Sequence, residues 1–195
     1  MDTEHNILVY DIETIGELGP NFVDSMELTI AGIYSYQRDE YVGYSVNDLE
    51  EMNEELKKAD LLVGFNSEHF DAPILNKYTS FNLMAIPSLD LLQYVRASTG
   101  RRIKLDSIAG ATLSSYKSGS GDEAMTLYEQ GEWEALKKYC LDDVQITKEV
   151  FDFAWKNQYL AYTSKDGWLR LKASTEFDVD EVIREQKQHI QYQFI

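Results

Sequence analysis

The chain has 195 residues, 44% of them hydrophobic and 12% aromatic, which suits one buried core and excludes a disordered polymer. Its 18 basic and 34 acidic residues give a formal net charge of −16; that excludes a general electrostatic coater of DNA or of anionic membrane, though not a nucleic-acid enzyme whose metal site is itself built of carboxylates. A lone cysteine, Cys140, excludes an intramolecular disulfide or a Cys-cluster zinc site, and with no apolar run near membrane-span length and an acidic start, Met1-Asp2-Thr3-Glu4, the expectation is a soluble cytoplasmic protein without a membrane partner.

In chain order, Ile7 to Tyr10 is a continuous apolar run that reads as a strand buried on both faces and ending at Asp11. Leu28 to Tyr36 and Tyr41 to Ser45 read as two strands of an antiparallel meander, and Asp48 to Lys58 as an acidic amphipathic helix. Leu61 to Phe65 is another short buried strand, Ala72 to Tyr78 is helical, and Met84 to Leu89 is strand-like despite Pro87. Leu105 to Leu113 is helical with Asp106 in its first turn, and the Ser/Gly-rich stretch Ser114 to Gly121 reads as a mobile loop. Trp133, Leu136, Cys140, Val144, Thr147, Phe151 and Ala154 carry the strongest helical periodicity, predicting one helix from about Glu132 to Lys156. Leu160 to Thr163 and Trp168 to Lys172 flank Lys165-Asp166-Gly167 as a hairpin, and Asp180 to Gln188 is a charged helix. Strands, then alternating helix and strand, then helix predict an α/β layer fold with a mixed sheet.

Three acidic segments carry the chemistry. Asp11-Ile12-Glu13 follows the first strand, and in an extended chain residues two apart share a side, so both carboxylates would meet on one face. Asn66-Ser67-Glu68-His69-Phe70-Asp71 follows the second buried strand; there Asp71 is either a helix N-cap or a functional acid, and His69 lines a loop or the core. Tyr139 and Asp143 are four apart on the long helix and so neighbours on one face, with Asp143 bordering the apolar stripe, where a carboxylate is costly unless paired or bound to a metal.

Together the strand-terminal D-x-E, the N-x(4)-D and the helical Y-x(3)-D resemble the three motifs of the DEDD superfamily in its tyrosine subclass, 3′–5′ exonucleases with a ribonuclease H-like fold. The likeness runs from about Ile7 to Phe153. More narrowly, Asp11 to Thr14, Gly64 to Asn66 with Phe70-Asp71, Ser88 to Leu92, Lys104 to Ala109 and Tyr139 to Val144 resemble the YprB-like ribonuclease H domains.

The resemblance implies a metal-dependent exonuclease on single-stranded DNA or RNA, with a helicase or other repair or replication partner possible. By that resemblance Asp11 bridges two divalent cations, Glu13 and Asp143 complete the shell of the first, and Asp71 holds the second. Hard oxygen donors select Mg²⁺ or Mn²⁺, and ions about 3.5–4 Å apart can steady the attacking and leaving oxygens of a phosphodiester displacement. Tyr139 would position the attacking water. Thr14 and Ile15 would border the terminal nucleotide, with Asn66 and Phe70 opposite. The span from Arg96 to Lys117 holds Arg96, Arg101, Arg102, Lys104 and Lys117 against the single acid Asp106, the best phosphate-tracking segment in an acidic chain. Asp90 is open between helix capping and a sugar-binding role. Two other readings stand beside the exonuclease: a catalytically silent module that binds nucleic acid or a helicase, and an endonuclease on the same fold. The expected domains are a ribonuclease H-like unit over 1–157 and a C-terminal hairpin and helix over 158–195 packed on it, without a catalytic group.

Overall fold

The computed structural model of the protein describes residues 4–113, 121–164, 166–167 and 170–193. A five-stranded mixed sheet forms its centre, ordered β3-β2-β1-β4-β5 from β1 (Ile7–Ile15), β2 (Glu27–Ser35), β3 (Glu40–Ser45), β4 (Leu61–Gly64) and β5 (Ser88–Asp90). The meander β1-β2-β3 is antiparallel, whereas β4 and β5 run parallel to β1. The parallel strands therefore end at one edge, and all three acidic segments follow or terminate those strands or lean over that edge.

The alternation of β1 sorts its side chains into two layers. Ile7 and Val9 belong to a core shared with Val144, Val150 and Phe151, while Leu8, Tyr10 and Ile12 belong to a second core with Met52, Leu56 and Ile74. The first layer is built by α4 (Leu91–Thr99), α5 (Leu105–Leu113) and the 25-residue α7 (Trp133–Asn157), which lies over β1, β2 and β3. The second is built by α2 (Leu49–Leu56) and α3 (Asp71–Leu75), with 3₁₀ turns at Asn76–Tyr78 and Leu83–Ala85. The short α1 (Phe22–Ser25) and α6 (Gly121–Glu129) complete the helices that precede α7.

The strand β1 does not stop at Asp11. It runs on through Ile15 because β2 pairs with it throughout, Asp11 opposite Gly32 and Glu13 opposite Ile30. The ladder then slips by one residue between Glu13 and Thr14, and the extra β2 residue, Thr29, donates its hydroxyl to the Glu13 carbonyl at 2.8 Å, a bulge that turns the strand end beside the acids. The strand expected over Met84 to Leu89 shrinks to Ser88–Asp90. Pro87 offers no N–H for a ladder, so its predecessors form a 3₁₀ turn instead.

The hairpin β6 (Tyr159–Thr163) and β7 (Arg170–Ser174) is a separate two-stranded sheet, followed by α8 (Val179–Gln193). Leu160, Ala173, Val179 and Ile183 join the core of Val9 and Val144. Gln186 exchanges two hydrogen bonds with the backbone of Ser88, and Lys187 pairs with Asp60 at 2.8 Å. Lys117, residues 114–120 of the expected loop, and Lys165 and Trp168 of the expected hairpin lie outside the described residues. Among the described residues no helix is long and apolar enough to cross a membrane.

Candidate metal and nuclease centre

Asp11 and Glu13, two apart on β1, face the α7 layer, as the odd-numbered residues Ile7 and Val9 do. A carboxylate oxygen of each lies with the Cys140 sulfur in a group whose atoms are all within 4.8 Å of one another. The Cys140 thiol points at the Asp11 carbonyl at 3.6 Å. Burial, then the charges of Asp11, Glu13 and Asp143, push this thiol well above its ordinary pKa. The two carboxylates offer hard oxygen donors, which fit a hard cation.

Helix α7 reaches this close because Gly32, opposite Asp11, has no side chain. A Cβ there would lie 2.8 Å from Val144 Cγ2 and 2.9 Å from Cys140 Sγ. The gap lets the helix settle onto the sheet and bring Cys140 to the acid pair, with Tyr139 and Asp143 of the same helix nearly buried at 7% and 6% exposure. Tyr139 and Cys140 pack there against Ile30 and Leu136.

Asp71 arrives from the other layer. It is the first residue of α3, not its N-cap, which is Phe70 and makes no side-chain cap bond. Its carboxylate instead accepts the Ile12 N–H at 3.3 Å, between the two β1 acids along the chain. Burial raises its pKa to about 7, opposed by that N–H and reinforced by the charge of Asp90.

The turn that carries Asp71 is tied down by Asp90. This side chain, 1% exposed, accepts the N–H groups of Asn66 (2.7 Å) and Glu68 (3.2 Å) while capping α4 through Leu92 (2.9 Å). Asp90 is thus an anchor for two loops, and its own burial raises its pKa against its bonds from the backbone. Asn66 adopts φ +65°, the left-handed region that asparagine tolerates best among side-chain-bearing residues. Phe70 lies parallel on Phe22 with ring centroids 5.5 Å apart, His69 leans on the same Phe22, and the Thr14 hydroxyl meets Met26 Sδ at 3.7 Å. Thr14, Ile15, Asn66 and Phe70 all sit on segments flanking the acids and are half-buried.

The basic segment is not beside the carboxylates. Helix α4 starts at Asp90 and runs away from the site; near its end the Ser98 hydroxyl accepts the Ser174 N–H, and Ser174 pairs with Tyr159 just past the C-terminus of α7. Asp143 and Asn157 are separated by fourteen residues of helix, about 21 Å, so Arg101, Arg102 and Lys104 stand toward the opposite end of the sheet. Among the described residues none of the three forms an ion pair. Of the groups around the acids, sequence reasoning overlooked Cys140 and Gly32. Cys140 had a signal, being next to Tyr139 and one turn from Asp143, but its apolar neighbours read as core.

The family model described as RNase_H superfamily matches residues 2–155. The chain belongs to the RNase H superfamily. The mixed sheet with its antiparallel meander, parallel strands and flanking helices agrees with that membership. Among solved structures, the family B DNA polymerase from the hyperthermophilic archaeon Pyrobaculum calidifontis superposes with a TM-score of 0.59 at 16% identity over 78% of this chain and 25% of that one. The likeness is one of fold, and this superfamily member spans about a quarter of the polymerase's length. No curated protein matches the sequence.

Proposed function

We propose that this protein is a metal-dependent 3′–5′ exonuclease of the tyrosine-type DEDD group, akin to YprB-like domains, that hydrolyses single-stranded DNA or RNA. The observation that carries the reading is the clustering of Asp11 and Glu13 at a strand end with Cys140 of α7, the helix that also carries the nearly buried Tyr139 and Asp143, while Asp71 accepts the N–H of Ile12 between the two acids, in a chain of the RNase H superfamily. Asp11, Glu13 and Asp143 would hold one Mg²⁺ or Mn²⁺, and Asp71 with Asp11 a second. Bound there, the cations supply the positive charge that lets several carboxylates share one cleft and that offsets charge growing on the phosphate.

The chain's own groups do the rest. Tyr139, on α7 beside Cys140, positions the attacking water through its hydroxyl, which can both donate and accept a hydrogen bond. Thr14 and Ile15 border the terminal nucleotide from β1, and Asn66 and Phe70 from the turn after β4. Arg101, Arg102 and Lys104 act at a distance, holding the strand electrostatically. A catalytically silent module would tolerate loss of an acid, and here all four acids and the tyrosine are present, which favours an enzyme.

Digestion of single-stranded DNA and RNA labelled at either end, with Mg²⁺, Mn²⁺ or chelator, tests this directly. Laddering from the 3′ end, abolished by chelator and by Asp11→Asn in a folded protein, is expected. Near-wild-type activity of Asp11→Asn would refute the metal assignment.

A further inference from the structure

A cavity of about 570 Å³ opens beside the carboxylates, within the size range of small-molecule sites. It shares a wall with them: Ile30 lines it, lies opposite Glu13 in the ladder, and packs with Tyr139. The far side holds Tyr128 and Trp133, ring edge to ring face at 5.4 Å. Trp133 is 48% exposed, an unusual exposure for so large an apolar group. Tyr78 is pinned in the lining by the Leu28 N–H, which its hydroxyl accepts at 3.0 Å.

Among the described residues a single cation, Lys137, lines this space. Its stem lies flat on β3 because Gly43 is bare there; a Cβ would stand 2.6 Å from Lys137 Cγ. The remaining charged lining groups, Glu27, Asp48 and Glu134, are acids. Asp48 is already engaged with the Ser45 N–H and hydroxyl. One lysine among acids repels a free di- or triphosphate, but it matches the single charge of one phosphodiester, and the acids can accept N–H hydrogens from a base edge. Exposed aromatic faces bind bases of any sequence.

We propose that the cavity receives a nucleobase of the substrate strand, from a nucleotide adjoining the one removed, stacked on Trp133 and Tyr128 with Lys137 at its phosphodiester. The inference rests on the nuclease reading above and extends it to a specific aromatic subsite.

The test is equilibrium binding of a short 5′-labelled oligothymidylate to the full chain in chelator, with one abasic residue walked inward from the 3′ end. Trp133→Ala should weaken binding of the intact strand by about 5- to 150-fold, the range for one base-on-aromatic stack. At one abasic position the wild type should bind as weakly as Trp133→Ala binds the intact strand, with the variant indifferent to that change, and Trp133→Phe should recover most of the loss. An equal loss on every abasic strand, no loss on the intact one, or no binding by the wild type overturns the proposal. A parallel digest with Mg²⁺ separates the two claims. Cleavage with Trp133-independent binding overturns the subsite and leaves the nuclease; Trp133-dependent binding at one position without cleavage supports the subsite and overturns the nuclease.

Discussion

Replacing Gly32 by alanine should cost both stability and metal affinity. The new Cβ would stand 2.8 Å from Val144 Cγ2, 2.9 Å from Cys140 Sγ and 3.3 Å from Leu141 Cδ2, against an optimal carbon separation of about 3.5–4.0 Å. The contacts sit on three side chains of one helix, so relief requires α7 to lift by roughly 0.7–1 Å or its side chains to leave their rotamers. Overpacking of this kind costs about 1–3 kcal/mol, while removing a glycine from a strand interior returns about 0.5–1 kcal/mol. The net loss centres on about 1 kcal/mol, which in a domain of this size lowers the melting temperature by about 2–4 °C. Because Gly32 faces Asp11 in the ladder, a lifted helix also withdraws Asp143, and a displacement near 1 Å can cost about a hundredfold in rate. Thermal denaturation and Mn²⁺ titration calorimetry read the two effects. Gly19→Ala, where a Cβ would meet nothing within 4 Å, serves as the control. If Gly32→Ala melts and binds Mn²⁺ as the wild type does, the close approach of α7 is not what builds the site.

Tyr139→Phe should slow single-turnover cleavage by at most about 10²–10⁴-fold while keeping Mn²⁺ affinity, whereas Asp143→Asn should impair both, since only the carboxylate is a strong donor to a hard cation; equal loss of metal affinity in the two would contradict the division of labour. In chelator, the stability contribution of Asp71 should fall with rising pH. Its folded pKa of about 7 exceeds the ordinary 3.8, so the protonated form favours folding, fully below pH 3.8, and that advantage is lost as pH rises through about 7. Urea midpoints from pH 5 to 8 should therefore decline in the wild type and decline less in Asp71→Asn, which keeps an acceptor for the Ile12 N–H; parallel profiles would refute it.

Local pattern alone determined most of the elements. The apolar run of β1, the meander, the periodicity of α7 and the four-residue spacing of Tyr139 and Asp143 are all short-range features, and each is found where the sequence puts it. The D-x-E pair was legible for the same reason, because strand alternation sends Asp11 and Glu13 to one face wherever the strand lies. What tertiary structure decided is whatever depends on a partner distant in the chain. The strand β1 runs past Asp11 only because β2 pairs there, and Asp71 is not a cap because the Ile12 N–H, 59 residues away, takes its oxygen. Asp90 holds two loops through N–H groups up to 24 residues away, which a sequence cannot distinguish from ordinary capping. The basic segment read as a phosphate track by its charge, yet charge carries no direction, and the axis of α4 takes it to the other end of the sheet. Gly32 and Gly43 read as nothing in the sequence, because the use of a missing side chain is defined only by what packs into the space it leaves.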